Sequence, residues 1–179
     1  MASENLLAGY RYAGGYVGLP YETPLIASTL EIDGETLVKK SEFHMSIFCV
    51  KKYAPEMAQL KGVSEEDAEQ TILEEASRLL KQFPISIEQF KDEFRLAEER
   101  DKKTVVVMCQ AKNLQEFFDG MRQALGMDFL NQPTHVTLYT RENGSGIGLP
   151  DPEEVAKITR LLTPEETESV KNAINFESL

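Results

Sequence analysis

His44-Met45-Ser46-Ile47-Phe48 and His135-Val136-Thr137-Leu138-Tyr139 are two copies of one pattern, histidine, apolar, hydroxyl, apolar, aromatic, and they contain the only two histidines of the chain. With apolar usage of about 45 to 50% and Ser plus Thr at roughly an eighth, agreement of the apolar and hydroxyl positions at both sites by accident is on the order of 1 in 10³, before the shared aromatic is counted. On a strand, successive side chains point to opposite faces and residues two apart share one. The pattern therefore sets His44, Ser46 and Phe48 on one face of a first strand, and His135, Thr137, Tyr139 and Arg141 on one face of a second. Met45, Ile47, Val136 and Leu138 point the other way, into a core. Side by side, the two strands offer two imidazoles and two hydroxyls to one groove.

The first histidine strand is expected over residues 43–50, and before it residues 25–32 and 35–39 read as a hairpin closed by Asp33-Gly34, a strong two-residue turn signal. Residues 1–24 are rich in glycine and tyrosine without a clean period and read as a loop, either a covering terminus or a flap whose tyrosines or Arg11 line the groove. From Pro55 the pattern turns helical. Ser64-Glu65-Glu66-Asp67 opens a helix running to Leu80, with Ile72, Leu73, Ala76, Leu79 and Leu80 on one face.

Residues 94–99 and 104–110 read as a second hairpin through Arg100-Asp101-Lys102, while 85–87 carry no clear assignment. Asn113 reads as the cap of a helix over 114–125 that Gly126 ends, and the second histidine strand spans 134–140. The glycine-rich stretch 142–150 reads as a flexible connector, and 152–162 and 164–174 as two short helices, the latter opened by the capping box Thr163-Pro164-Glu165-Glu166. Hairpin, histidine strand, helix, hairpin, helix, histidine strand is the order of an imperfect internal duplication. The expected fold is α+β and two-lobed, with pseudo-duplicated antiparallel sheets, helices packed on the outside and a central groove. One domain is expected over 1–179, comprising the 1–24 segment, a two-lobed core over 25–141 and C-terminal helices over 151–179.

An apolar fraction of 41% and a charged fraction of 27% are those of a soluble globular chain, and no run approaches the roughly 18 apolar residues of a membrane span. A net charge of −11 argues against a broad basic footprint for duplex DNA, while a small nucleotide or a single RNA end remains compatible. The pairs Lys39-Lys40, Lys51-Lys52 and Lys102-Lys103 read as solvated strand ends. Cys49 and Cys109 sit in apolar runs and read as buried, inert thiols. Together with a start lacking a secretory pattern, they point to a reducing, cytoplasmic compartment.

Two histidine, apolar, Ser or Thr, apolar motifs 91 positions apart, with hairpin and helix between them, resemble the 2H phosphoesterase superfamily over residues 25–141. Its members include RNA 2',5'-ligase-like proteins and phosphodiesterases of cyclic nucleotides. Phosphodiester transfer needs a base on the attacking oxygen, an acid on the leaving oxygen, and hydrogen bonds to the nonbridging oxygens. The resemblance implies that His44 and His135 are the base and the acid, in an order the sequence leaves open, and that Ser46 and Thr137 donate to the phosphate. It implies Arg141 as a further positive charge on the phosphate, and Phe48 or Tyr139 as stacking surfaces for a base.

The expected activity is hydrolysis of a 2',3'-cyclic or related nucleotide phosphodiester by a monomer, without metal or other cofactor. The expected partner is a small nucleotide bearing a cyclic phosphate or an RNA terminus, with no duplex DNA and no membrane. RNA 2',5'-ligation and non-catalytic binding of a nucleotide or RNA end are the alternatives. A zinc site would have to recruit Asp, Glu or a core cysteine, because a third histidine does not exist.

Overall fold

The protein is described here from a computed structural model covering residues 7, 9–22, 25–142 and 144–174. Among the described residues the fold is α+β, with nine strands in a large antiparallel sheet and five helices. The chain divides into two compact units of three segments each. Unit 1 comprises Met1–Pro20, Ser46–Glu88 and Ala111–Gln132; unit 2 comprises Tyr21–Met45, Gln89–Gln110 and Pro133–Leu179.

In unit 1, β1 (Arg11–Ala13) and β2 (Tyr16–Tyr21) form a hairpin with Ala13 opposite Tyr16. The turn is Gly14-Gly15, with φ of 60° and 86°, the positive pair that a type I′ turn requires. This corrects the expectation of a loop, whose residues 1–6, 8, 23 and 24 lie outside the described ones. Rather than lining a groove, the Tyr12 hydroxyl donates to Glu69, and the Tyr10 hydroxyl accepts from the Ile85 N–H at 2.9 Å.

The first histidine strand, β5 (Phe43–Cys49), runs without a loop into α1 (Val50–Lys61), so the helix starts before Pro55 and encloses it. α2 (Glu65–Gln82) is capped by Ser64, whose hydroxyl accepts from the Asp67 N–H at 3.1 Å, and it buries Ile72, Leu73, Ala76, Leu79 and Leu80 as the spacing predicts. α3 (Leu114–Leu125) buries Phe117, Phe118 and Met121 and ends at Gly126 in the left-handed region. Asn113 does not cap it through its side chain; the amide donates to the Pro84 carbonyl at 2.7 Å instead. Phe48 is the hub of this core, its ring 5.6 to 5.9 Å from those of Tyr53, Phe117, Phe118 and Phe129.

In unit 2, β3 (Thr29–Ile32) and β4 (Glu35–Lys39) form the expected hairpin through Asp33-Gly34, with φ of 54° and 72°. β6 (Ser86–Glu99) and β7 (Lys102–Lys112) form a hairpin longer than the sequence suggested. The first half of β6 exposes Glu88, Gln89, Lys91 and Asp92 and so lacks apolar alternation. The second histidine strand is β8 (His135–Thr140). α4 (Pro152–Ile158) is shorter than predicted because β9 (Thr159–Leu161) pairs with Arg95–Ala97 of β6. α5 (Pro164–Ala173) carries the expected capping box. The hydrogen-bonded order here is β5-β8-β7-β6-β9, with β4 also on β8 and β3 on β4. Among the described residues no helix is long and apolar enough to cross a membrane.

Lys103 is a correction to its reading as a solvated strand end. Its side chain is 5% exposed, and Nζ lies 2.9 Å from Asp33, 2.9 Å from Glu35 and 2.7 Å from Glu98. Burial opposes its charge, but the three carboxylates prevail and raise its pKa. Hydrogen bonds from Arg141 first and Lys103 second hold the Glu35 carboxyl down at about 2, against an ordinary value of 4.5. A depressed carboxylate contributes its stabilisation above the unfolded value and loses it as the pH falls towards the folded one.

Two outcomes are expected from denaturant unfolding. Phe48→Ala removes the hub of the aromatic cluster and costs about 3 to 5 kcal/mol. Wild-type stability declines as the pH is lowered from about 4.5 towards about 2, and Glu35→Gln shows a shallower decline over that window.

Candidate active site

The ladder between β7 and β8 sets the face on which the second motif stands. Met108 pairs with His135, Val107 with Val136 and Val106 with Thr137, but Val105 pairs with Tyr139 and Thr104 with Thr140. One step along β7 thus spans two along β8, and β8 carries the extra residue at Leu138. A bulge inverts the alternation beyond it, and residues directly opposite each other share a face. His135 and Thr137 stand with Met108 and Val106, and beyond the bulge Thr140 rather than Tyr139 returns to that face.

Tyr139 is accordingly fully buried, with its hydroxyl donating to the Ala27 carbonyl at 2.9 Å, and its expected role as a stacking surface is corrected. Arg141 is engaged elsewhere. Its Nε and Nη2 donate to the Glu35 carboxylate, the latter at 3.0 Å, and Nη1 donates to the Asp101 carbonyl at 2.7 Å. Those contacts occupy the guanidinium that the resemblance assigned to the phosphate.

On β5 the alternation holds over the motif. His44 is exposed and Ser46 half-buried, while Phe43, Met45 and Ile47 are buried. It fails at Phe48, which is fully buried in the aromatic cluster of unit 1 because the strand turns at once into α1. Phe48 is therefore core, not a stacking surface for a base. His44, His135 and Thr137 all belong to unit 2, whereas Ser46 is the first residue of a unit 1 segment.

His135 is 3% exposed, and its Nδ1 lies 2.9 Å from the Pro133 carbonyl oxygen. A carbonyl only accepts, so Nδ1 carries the proton and Nε2 holds the lone pair of the neutral ring. Burial is the main force holding the His135 pKa below 6.5. The Pro133 hydrogen bond pushes the other way, and the positive charge of His44 lowers it further. The two imidazoles are thus electrostatically linked within one unit, and the buried member is the one kept neutral.

The stretch after β8 is not a free connector, because Ile147 is 3% exposed and Leu149 fully buried against Val106 and Met108, with Val155 and Ile158 packed alongside. The sequence singled out neither these apolar anchors nor Thr140, which pairs with Thr104; the bulge that selects Thr140 has no residue signature. Cys49 and Cys109 are free and buried, and burial pushes the Cys109 thiol up to about 11, which keeps it unreactive. Among the described residues no group of three or more His, Cys, Asp or Glu side chains is placed to hold a metal ion.

Ring ¹⁵N shifts followed against pH are expected to show His135 neutral at pH 7, protonated on Nδ1, and titrating below 6.5. Because the unfolded chain takes up that proton first, folded stability falls as the pH drops below about 6.5, and His135→Gln removes this component. Titration of His135 at or above 6.5 would contradict the role given to its burial.

Compared with known proteins, the chain matches no protein-family model, no curated protein and no solved structure.

Proposed function

We propose that the chain is a metal-independent phosphodiesterase of the 2H type that hydrolyses a small 2',3'-cyclic or related nucleotide phosphodiester. The observation that carries this reading is the pairing of a buried, neutral His135, its Nδ1 committed to Pro133, with an exposed His44 close enough to lower its pKa. Such a pair provides a base and an acid at one pH. His135 Nε2 removes a proton from water, the water oxygen bonds to phosphorus, the bond to one ribose oxygen breaks, and His44 protonates that oxygen as it leaves. The product is a nucleoside monophosphate.

Thr137, on the same face as His135, donates its hydroxyl to a nonbridging oxygen where charge grows in the transition state. Ser46 is given the equivalent role from the repeated sequence pattern alone. A net charge of −11, with Arg141 held by Glu35, favours a small substrate over a long RNA. This reading carries with it a two-lobed, pseudo-duplicated arrangement with a central groove, a monomer, and residence in the cytoplasm.

The test is a panel of 2',3'-cyclic nucleotides, ADP-ribose cyclic phosphate and 2',5'-linked oligonucleotides, assayed in excess chelator. Wild type is expected to release a nucleoside monophosphate, and His44→Ala and His135→Ala each to lose roughly 10² to 10⁴ in rate. Turnover of 2',5'-linked oligonucleotides alone would move the assignment to RNA ligase or RNA-end chemistry. Tight binding without turnover, unaltered in either variant, would make the protein a binding module.

A further inference from the structure

We infer that Gly146 is a specificity-determining residue of this site, and that the space left by its missing side chain beside the Thr137 hydroxyl seats an oxygen of the substrate phosphoryl group. The inference rests on the reading of His135 and Thr137 as phosphate-handling residues and adds a steric element from the segment that follows them. A β-carbon built on Gly146 meets one atom within 4 Å, Thr137 Oγ1 at 3.6 Å. No other atom outside residues 145–147 comes within 4 Å of that β-carbon.

Two neighbouring glycines differ in what they require. At Gly144 a β-carbon would stand 2.7 Å from the Arg141 carbonyl oxygen, which accepts the Gly144 N–H at 2.8 Å, so the turn leaving β8 itself demands glycine. Gly146 has neither a positive φ nor a clash, since 3.6 Å is ordinary contact. The fold accepts a methyl group there. Glycine nevertheless costs chain entropy relative to alanine, about 0.5 to 1 kcal/mol in regular elements. What a methyl would obstruct is the approach of an acceptor to Thr137.

The segment is held in register with the catalytic strand. Leu149 packs on Val106 and Met108, which stand opposite Thr137 and His135 on the β7–β8 ladder, and Ile147 is buried next to Gly146. The distance between Gly146 and Thr137 is thereby set by core packing. A phosphoryl oxygen accepting from Thr137 lies roughly 2.7 Å from Oγ1 and fits beside a glycine; a methyl at 3.6 Å from the same oxygen crowds it.

The test titrates inorganic phosphate into ¹⁵N-labelled wild type, Gly146→Ala, Gly146→Val and the exposed-loop control Ser145→Ala, following the backbone amide signals of Thr137 and of position 146. The KM of each for 2',3'-cyclic AMP is measured in parallel. Gly146→Ala is expected to melt no lower than wild type, to bind phosphate about tenfold more weakly and to raise KM by a similar factor. Gly146→Val loses more, and Ser145→Ala is unchanged. Phosphate binding that is absent near Thr137 in wild type, or equal in wild type and Gly146→Ala, overturns the inference. Hydrolysis by wild type with KM and phosphate affinity unmoved in Gly146→Ala defeats the phosphate seat and leaves the enzymatic reading standing. Phosphate bound near Thr137 and weakened in Gly146→Ala, without hydrolysis of any panel member, supports the seat and defeats the hydrolase.

Discussion

The register between β7 and β8 is the constraint on which the site depends. A single additional residue at Leu138 decides which side chains join His135 and Thr137 and which are sent into the core. Without it, strict alternation would put Tyr139 and Arg141 beside the histidine and leave Thr140 behind. With it, Tyr139 becomes a buried post hydrogen-bonded to Ala27, and Thr140 joins His135 and Thr137 on their face of β8.

Burial then sets apart two residues of one chemical type. Free histidine has one pKa near 6.5, and two equivalent copies would share their protonation states. Here one ring is enclosed and anchored through Nδ1 to a main-chain carbonyl, while the other faces solvent. The asymmetry comes from the burial of His135, which outweighs the opposing pull of the Pro133 hydrogen bond. The ion pairs of Lys103 and Arg141 with Glu35 stand apart from it; they tie β4 to β7 and to the end of β8.

Much of this was legible in the chain. Ser64 before an acidic turn, the 3.6-residue spacing through Leu80, Asp33-Gly34 and Gly126 state their structures through local physics, and the structure agrees. The two histidine strands were readable from the repeated alternation of polar and apolar residues, although only β5 turns that alternation into an exposed and a buried face over its motif. What failed to show had non-local causes. The Leu138 bulge is a property of pairing with β7, and β9 exists because Arg95–Ala97 accept a partner. Phe48 leaves the histidine face because a helix begins two residues later, and Lys103 is buried because three acids from distant turns and strands meet it. Gly14-Gly15 was readable in principle, as a two-glycine turn between short strands, but tyrosines in both arms hid the alternation.

The segment order of the two compact units carries a consequence for how the molecule is made. The chain passes from one unit to the other and back, so that unit 1 closes only at Gln132 and unit 2 draws on residues from Tyr21 to the C-terminal region. During synthesis β4 and β7 emerge long before β8, the strand that pairs with both. Until it arrives, their edges are exposed, and the contacts that complete them span long loops and form slowly. The strand bearing His135 is thus the keystone of unit 2 in time as well as in place. A nascent chain lacking it has neither a finished sheet nor a second imidazole, so the second histidine motif and the completion of the sheet arrive with the same few residues.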